Sequence, residues 1–261
     1  MDTEVVKIAL VLEYDGTNYC GFQFQTNAPS IQNEIEKAVV QLTGEKTRVV
    51  GASRTDTGVH AKGQVVSFRT GSKLSQAVFK KGLNHYLPPD IAVKAVYQIN
   101  SWFNIQSQAI SRQYQYYIDN GEVGSPLTRG YAHHVKWGLK IEAMNEAAAL
   151  LVGQHDMTSF VTDFSQSRIK SSIRKVFSAQ FERRENTIIF DILAQSFLPH
   201  QVRNTVGALI RVGLGKMSVS QFETLMEAKK PGLAGPTVPA RGLFLMQINY
   251  PRPLGEYDEN L

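Results

Sequence analysis

The order of strand-like and helix-like segments limits most strongly what this chain can fold into. In its first hundred residues, runs with apolar residues at every second position alternate with runs at helical spacing. The predicted strands are 7–13, 47–50, 64–68 and 91–99. The predicted helices are 31–42, which Ser30 caps and Gly44 ends, and 75–86, which Pro88 and Pro89 end. This β-α-β-β-α-β order is the split βαβ arrangement of ferredoxin-like folds.

The remainder of the chain repeats a similar order. Its predicted strands are 108–118, 173–181, 187–194 and 243–250, and its predicted helices are 141–152, 200–214 and 219–229. We therefore predict an α+β fold with two ferredoxin-like halves, which form an extended mixed antiparallel sheet with helices on one face. The expected boundaries are 1–105 for the first half, 106–252 for the second and 253–261 for a tail.

Composition indicates in which cellular compartment we expect the protein. The single cysteine, Cys20, excludes an intrachain disulfide and a cysteine-based zinc site, which favours a reducing compartment. No window approaches the ~20 apolar residues of a membrane helix, and no secretory signal follows Met1. We expect a cytoplasmic protein without a membrane segment.

Basic residues are concentrated in two segments. Residues 46–70 hold five Lys or Arg against one acidic residue, and residues 165–216 hold nine against three, within a chain of net charge +5. The second segment includes Arg168, Lys170 and Arg174. Two such segments can converge on one polyanion, which predicts a nucleic-acid track. The alternative is two unrelated solvated faces.

The segment 51–68, GASRTDTGVHAKGQVVSF, carries the strongest candidate for chemistry. It places Arg54, Asp56 and His60 on a loop between two strands. Cationic and hydroxyl neighbours keep a carboxylate ionised, so Asp56 is a candidate nucleophile. The alternative is that Asp56 only orders its own turn. An aspartic protease, which needs two carboxylates sharing a proton, does not fit one Asp-Thr-Gly in a basic setting.

Two further segments suit RNA binding. Arg112, Tyr114 and Tyr116 alternate along a strand and can present planar groups that stack on bases, although tyrosine-rich strands are often simply stable strands. Arg203 lies at the start of a predicted helix, where the helix N-terminus and a guanidinium together favour an anion. The His133-His134 and His155-Asp156 pairs lack metal-ligand spacing, and no phosphate-binding glycine loop is present, so we expect neither metal nor cofactor.

Together these segments resemble the tRNA pseudouridine synthases of the TruA type over nearly the whole chain. The resemblance rests on segments in the family's order: LEYDGTNYCGFQFQ, SRTDTGVHAKGQVVSF, SRQYQY, HDMTSF, FLPHQVRNTVG and PARGLFLMQINYP. The chain departs from the usual pattern at Phe22, Pro199, Gln201 and Val238, each beside a matching motif.

This resemblance implies an isomerase that converts uridines of the tRNA anticodon arm, near positions 38 to 40, to pseudouridine without a cofactor. It places the nucleophile on Asp56, a basic partner on Arg203, the active-site tyrosine on Tyr114, a tRNA contact on Arg54 and an apolar pocket wall on Leu243. It also implies a homodimer. Two alternatives from other classes are a non-catalytic RNA-binding protein or chaperone on the same fold, and a hydrolase that uses Asp56.

Overall fold

The computed structural model describes residues 5–162 and 171–258, which hold ten strands and five α-helices, so the predicted α+β class is confirmed. The strands are β1 (Val6–Tyr14), β2 (Val50–Gly51), β3 (His60–Thr70), β4 (Ile91–Ile99), β5 (Ser111–Asp119), β6 (His133–His134), β7 (Gly153–Asp156), β8 (Ile173–Arg184), β9 (Thr187–Ala194) and β10 (Leu243–Asn249). The α-helices are α1 (Ile31–Thr43), α2 (Gln76–Tyr86), α3 (Ile141–Ala149), α4 (Gln201–Gly213) and α5 (Val219–Glu227). None of these helices, within the described ranges, is long and apolar enough to cross a membrane.

The contacts divide the described chain into two compact units. The first unit runs to Ile110 and resumes at Leu245, whereas the second unit is Ser111–Phe244. The predicted halves were consecutive in sequence. In the structure the chain returns to the first unit, where the Ile110 N–H donates to the Asn249 carbonyl at 2.9 Å. Most of β10 and the segment after it therefore complete the first unit.

The first unit is a sheet in the order β4-β1-β3-β10, with β2 paired to β3. β1 is antiparallel to both β3 and β4. The predicted ends of α1 are confirmed: the Ser30 side chain accepts a hydrogen bond from the Asn33 N–H, and Gly44 adopts the left-handed conformation with φ 75°. Apolar side chains from β1 and both helices are fully buried, including Leu10, Leu12, Ile35, Phe79 and Leu83.

The second unit is a sheet in the order β5-β9-β8-β7, with β6 added in parallel to β5. The predicted hairpin is confirmed, since β8 and β9 are antiparallel and Arg184 pairs with Thr187 across the turn. α3, α4 and α5 contact one another, and α3 packs on β8. The largest fully buried side chains of this unit are Tyr116, Phe160, Phe190 and Phe222.

Candidate functional site

The loop that carries Asp56 joins β2 to β3 in the first unit. Its side chains alternate in exposure: Arg54 is exposed, Thr55 is buried at 7% and Asp56 is half-buried. The alternation lets Thr55 anchor the loop inward while the residues on either side face outward. The structure therefore places Arg54 and Asp56 on the loop, as the sequence predicts.

A buried hydrogen-bond network holds this loop from below. The Tyr14 hydroxyl and the Thr55 hydroxyl are 2.8 Å apart. The Gln64 amide donates to the Ser53 carbonyl at 2.8 Å and to the Tyr14 hydroxyl at 3.4 Å, and its oxygen accepts from the Ser53 N–H at 3.3 Å. Because Gln64 is fully buried, each lost bond leaves a polar group without water. The network thus ties the loop to β1 and β3.

Backbone contacts fix the same loop from its other side. The Phe22 N–H donates to the Thr55 carbonyl at 3.1 Å, and the Gly58 N–H donates to the Tyr19 carbonyl at 3.2 Å. Gly21 has φ +91°, and a Cβ there would lie 2.8 Å from the Thr55 carbonyl oxygen. Only glycine fits this approach without strain. The segment around Gly21 therefore packs closely against the Asp56 loop.

His60 is the one member of this group whose predicted placement is wrong. It is the first residue of β3 rather than a loop residue, and its side chain is only 1% exposed. Its Nδ1 accepts from the Gly16 N–H at 3.1 Å and also lies 3.1 Å from the Asp15 carboxylate. Both contacts join the first residue of β3 to the turn that follows β1. His60 supports the turn after β1 instead of facing a substrate.

In the second unit, the first turns of α4 form hydrogen bonds and close contacts with the segment 236–239. The Arg203 Nε donates to the Val238 carbonyl at 2.9 Å. Asn204 accepts from the Thr237 hydroxyl at 2.5 Å and donates to the Phe160 carbonyl at 2.8 Å. A Cβ added at Gly207 would overlap the Pro236 carbonyl oxygen. Arg203 therefore has its guanidinium plane fixed by a backbone carbonyl.

Two tyrosines of β5 face the buried side of the second unit. Tyr114 is 5% exposed, and its ring meets Phe197 edge-on with centroids 5.1 Å apart. Tyr116 is fully buried, and its hydroxyl donates to the Pro239 carbonyl at 2.8 Å. Burial raises the pKa of Tyr116 above its usual value, and the nearby charges of Arg203 and Arg241 oppose that shift. Tyr116 is thus a neutral donor that holds the segment next to Arg203.

Leu243, at the start of β10, is also buried, at 4% exposure. The Tyr116 ring lies directly under the preceding Gly242, where a Cβ would come 2.8 Å from a ring carbon. The segment before Leu243 thus approaches β5 too closely for a larger residue. Within the second unit, the structure therefore fixes the segment 236–243 against both α4 and β5.

The remaining predicted contacts are spread over the second unit. Arg112 donates from Nη1 to the Gln195 carbonyl at 2.8 Å. Arg174 donates from Nη1 to the carbonyls of Ser171 and Ile173, and burial lowers its pKa. Arg168 and Lys170 lie outside the described residues. The described part of the chain contains no group of three or more His, Cys, Asp or Glu placed to hold a metal ion.

Sequence reasoning missed the residues that support the site. The predicted strand 7–13 stops one residue before Tyr14, and Gln64 is predicted only as the first residue of the strand 64–68. A glutamine directly before the apolar pair Val65 and Val66 is the one available signal, because a buried amide must find hydrogen-bond partners. No local pattern indicates that Tyr116 contacts the segment before Leu243, because the hydrogen bond joins residues 123 positions apart.

Comparison with known proteins assigns the family. A family model described as tRNA pseudouridine synthase matches residues 10–105 and 147–251. The chain is 40% identical to tRNA pseudouridine synthase A of Acetivibrio thermocellus over 243 residues, which cover 93% of this chain and 99% of that protein. It is 42% identical to tRNA pseudouridine synthase A of Blochmanniella pennsylvanica, over 94% and 93% of the two chains. The chain belongs to the tRNA pseudouridine synthase family and is an isomerase.

Similarity to solved structures is much weaker. The archaeal box H/ACA sRNP Nop10-Cbf5 complex matches with 10% identity and a TM-score of 0.36, over 79% of this chain and 44% of that one. No conclusion about this chain follows from a likeness at that level.

Proposed function

We propose that this protein converts uridines in the anticodon arm of tRNA, near positions 38 to 40, to pseudouridine, with Asp56 as the nucleophile. The observation that carries the proposal is the Asp56 loop. It lies within the residues that match the family, and it is held on both sides by contacts that leave Asp56 half-buried rather than enclosed. A fixed carboxylate near the surface suits attack on a base that has left its stack.

The reaction conserves atoms and electrons. The glycosidic bond from N1 of uracil to the ribose C1′ breaks, and a bond from C5 to C1′ forms. C5 loses its proton, and N1 gains one. The Asp56 carboxylate attacks either C1′ or the uracil ring, which keeps the two fragments together while the base turns. Since nothing is oxidised or reduced, the proposed reaction requires no redox cofactor.

Three residues of the second unit complete the proposed chemistry. Tyr114 stacks on the uracil and accepts the C5 proton. Arg203 keeps the nucleophilic carboxylate ionised and oriented, because a guanidinium held in one plane by the Val238 carbonyl offers a donor fork of fixed direction. Leu243 supplies an apolar wall for the base. These roles come from the resemblance.

The proposal also covers how tRNA is held. Extracting a uridine from its stem costs a few kcal/mol, which contacts to phosphates offset. Arg54, exposed beside Asp56, is the nearest candidate for such a contact in sequence. Arg112 and Arg174 are further candidates, with Arg168 and Lys170. We also propose that the protein is a homodimer and that the anticodon arm crosses both subunits. The mass of the protein in solution tests whether it is a dimer.

Tritium release tests the function directly. Wild-type protein is incubated with tRNA labelled at C5 of uracil, and with matched tRNAs in which the uridines at positions 38 to 40 are replaced by cytidines. We expect release from the first tRNA and not from the replaced ones. Tight binding without release would favour the RNA chaperone, and free uracil in the products would favour a hydrolase.

A further inference from the structure

We propose that Lys7, Arg69 and Trp102, here called the Trp102 patch, form a second tRNA-binding surface that contacts the nucleic acid outside its anticodon arm. The inference rests on the proposed function, because it takes tRNA as the bound molecule. All three residues belong to the first unit.

The first observation is an unfavourable pair of like charges. Lys7 on β1 and Arg69 on β3 are direct cross-strand partners, a position in which like charges destabilise a sheet. Burial and the charge of Arg69 lower the pKa of Lys7. Within residues 5–162 and 171–258, neither cation forms an ion pair with a carboxylate. A phosphate bound beside both cations removes this repulsion.

The second observation is that both cations hold the turn that presents Trp102. The Lys7 Nζ donates to the Phe103 carbonyl at 2.7 Å, and the Arg69 Nη2 reaches the Ser101 carbonyl at 3.5 Å. Phe103 is fully buried and its ring lies 4.0 Å from that of Tyr257, whereas Trp102 is 64% exposed. The turn is therefore anchored by its neighbours while the indole faces solvent.

This combination matches the chemistry of nucleic-acid binding. Nucleic-acid surfaces that follow a backbone without reading sequence pair cations for the phosphates with an aromatic face on which a base or ribose stacks. An exposed indole beside two cations that contact backbone carbonyls supplies both parts. A protein partner of matching acidity is the competing occupant, and the experiment below separates the two.

The position of the patch indicates which part of tRNA it contacts. Arg69 lies nine residues after His60 along β3, which is about 30 Å at roughly 3.3 Å per residue. His60 in turn closely follows the Asp56 loop. An anticodon stem of about five base pairs is only roughly 17 Å long at about 3.4 Å per pair. A tRNA whose target uridine lies at Asp56 therefore meets the patch with a region beyond that stem.

Binding of two RNAs to the intact protein tests this inference. Dissociation constants are measured for full-length tRNA and for the isolated anticodon stem-loop, with wild type, Trp102→Ala and a Lys7→Ala, Arg69→Ala double variant. We expect each variant to bind full-length tRNA with a dissociation constant about tenfold higher than that of wild type. The double variant should also flatten the salt dependence by about two units. Stem-loop binding and turnover at saturating tRNA should be unchanged.

Matched controls separate this effect from general damage. Trp137→Ala removes an indole of similar exposure, 66%, from the second unit. A Lys37→Ala, Lys94→Ala double variant removes two lysines of the first unit that are each paired with a glutamate. Both controls should bind full-length tRNA like wild type, and circular dichroism should confirm that all variants are folded.

Two results would overturn the inference. One is wild-type affinity of the patch variants for full-length tRNA, which would leave a protein partner as the occupant. The other is an equal loss of affinity for the stem-loop, which would place the contact within the anticodon arm. If the wild-type protein releases no tritium, the proposed function fails, whereas the comparison of the two RNAs still decides the role of the patch.

Discussion

The Asp56 loop and the segment 236–243 are both held rigidly, but they are held by different means. In the first unit, Thr55, Ser53 and Gly58 make the anchoring contacts, and they flank Asp56 in sequence. In the second unit, Arg203 is itself one of the anchors, because its Nε bonds the Val238 carbonyl. One proposed catalytic residue is thus supported by its neighbours, whereas the other supports the structure around it.

This difference predicts whether a substitution in each region changes activity alone or changes activity and stability together. Changing Asp56 alters the proposed reacting group and leaves the anchors of its loop in place. Changing Arg203 alters a proposed catalytic group and a structural hydrogen bond together. Kinetic and stability measurements on matched variants therefore test whether activity and stability change separately at Asp56 and together at Arg203.

The largest effect is expected for Asp56→Asn. The amide keeps the size of the carboxylate but is not a nucleophile, so tritium release should fall by at least about a thousandfold. The contacts that hold the loop through Thr55 and Gly58 stay in place, so the variant should remain folded, which circular dichroism checks. Retention of more than a few per cent of the activity would contradict the assignment of the nucleophile.

The next largest effect is expected for Arg203→Lys. Lysine keeps the charge and loses the planar fork, so kcat should fall about a hundredfold while tRNA affinity changes little. Relative to wild type, this variant should also lose about 1 kcal/mol of stability with the bond to Val238. Urea unfolding of the variant and of wild type measures this loss. A free energy of unfolding equal to that of wild type would mean that the bond to Val238 contributes nothing.

A smaller effect is expected for Tyr14→Phe, which removes the hydroxyl that contacts Thr55 and Gln64. The loop should lose part of its orientation, so kcat should fall about tenfold with little change in KM. Thr55→Ser, which keeps a hydroxyl, should retain more activity than Thr55→Val.

Tyr250→Phe is the matched control for that variant. It removes a tyrosine hydroxyl that donates to the Ile105 carbonyl at 2.8 Å in the same unit. Both variants should be destabilised by about 1 kcal/mol, but only Tyr14→Phe should lose turnover. Identical losses of kcat would show that stability alone, rather than loop orientation, sets the rate.

The smallest effect is expected for the pH dependence of stability in the second unit. Burial, with the charges of Arg241 and His134, lowers the pKa of His133 below its ordinary value of about 6.5. As the pH falls below about 6.5, the unfolded chain therefore binds a proton that the folded unit does not, and stability decreases. His133→Gln should flatten this decrease between pH 7 and pH 5 in urea titrations. An unchanged slope would exclude His133 as its source.

Elements whose signals are local could be predicted from the sequence. The ends of α1 follow from Ser30 and Gly44, and the hairpin of β8 and β9 follows from two alternating runs around a polar turn. The placement of His60 was wrong because β3 begins four residues before the predicted strand 64–68, where Lys62 and Gly63 interrupt the alternating pattern. Pairing with β1 extends the strand through residues of low propensity, and local pattern cannot show this.

The supports of the site depend on contacts between distant residues. Tyr14 and Gln64 are 50 positions apart, and Tyr116 and Pro239 are 123 apart. In α4, Asn204 is buried although it is polar, because it bonds backbone and a hydroxyl of other segments. A sequence pattern does not distinguish such a residue from one that faces water. The candidate reacting residues could be predicted from the sequence. The hydrogen-bond partners that orient them could be identified only from the folded structure.

The return of the chain to the first unit at Leu245 has a consequence during synthesis. A ribosome completes Ile110 and must then add all of Ser111–Phe244 before β10 can join β3. At about 5 to 20 residues per second, that interval is on the order of ten seconds. The nascent first unit therefore passes this time with the β10 side of β3 unpaired, and an exposed strand edge of that kind is where chaperones or neighbouring chains can bind. The first unit, although it is synthesised first, thus cannot be completed until β10 has been synthesised.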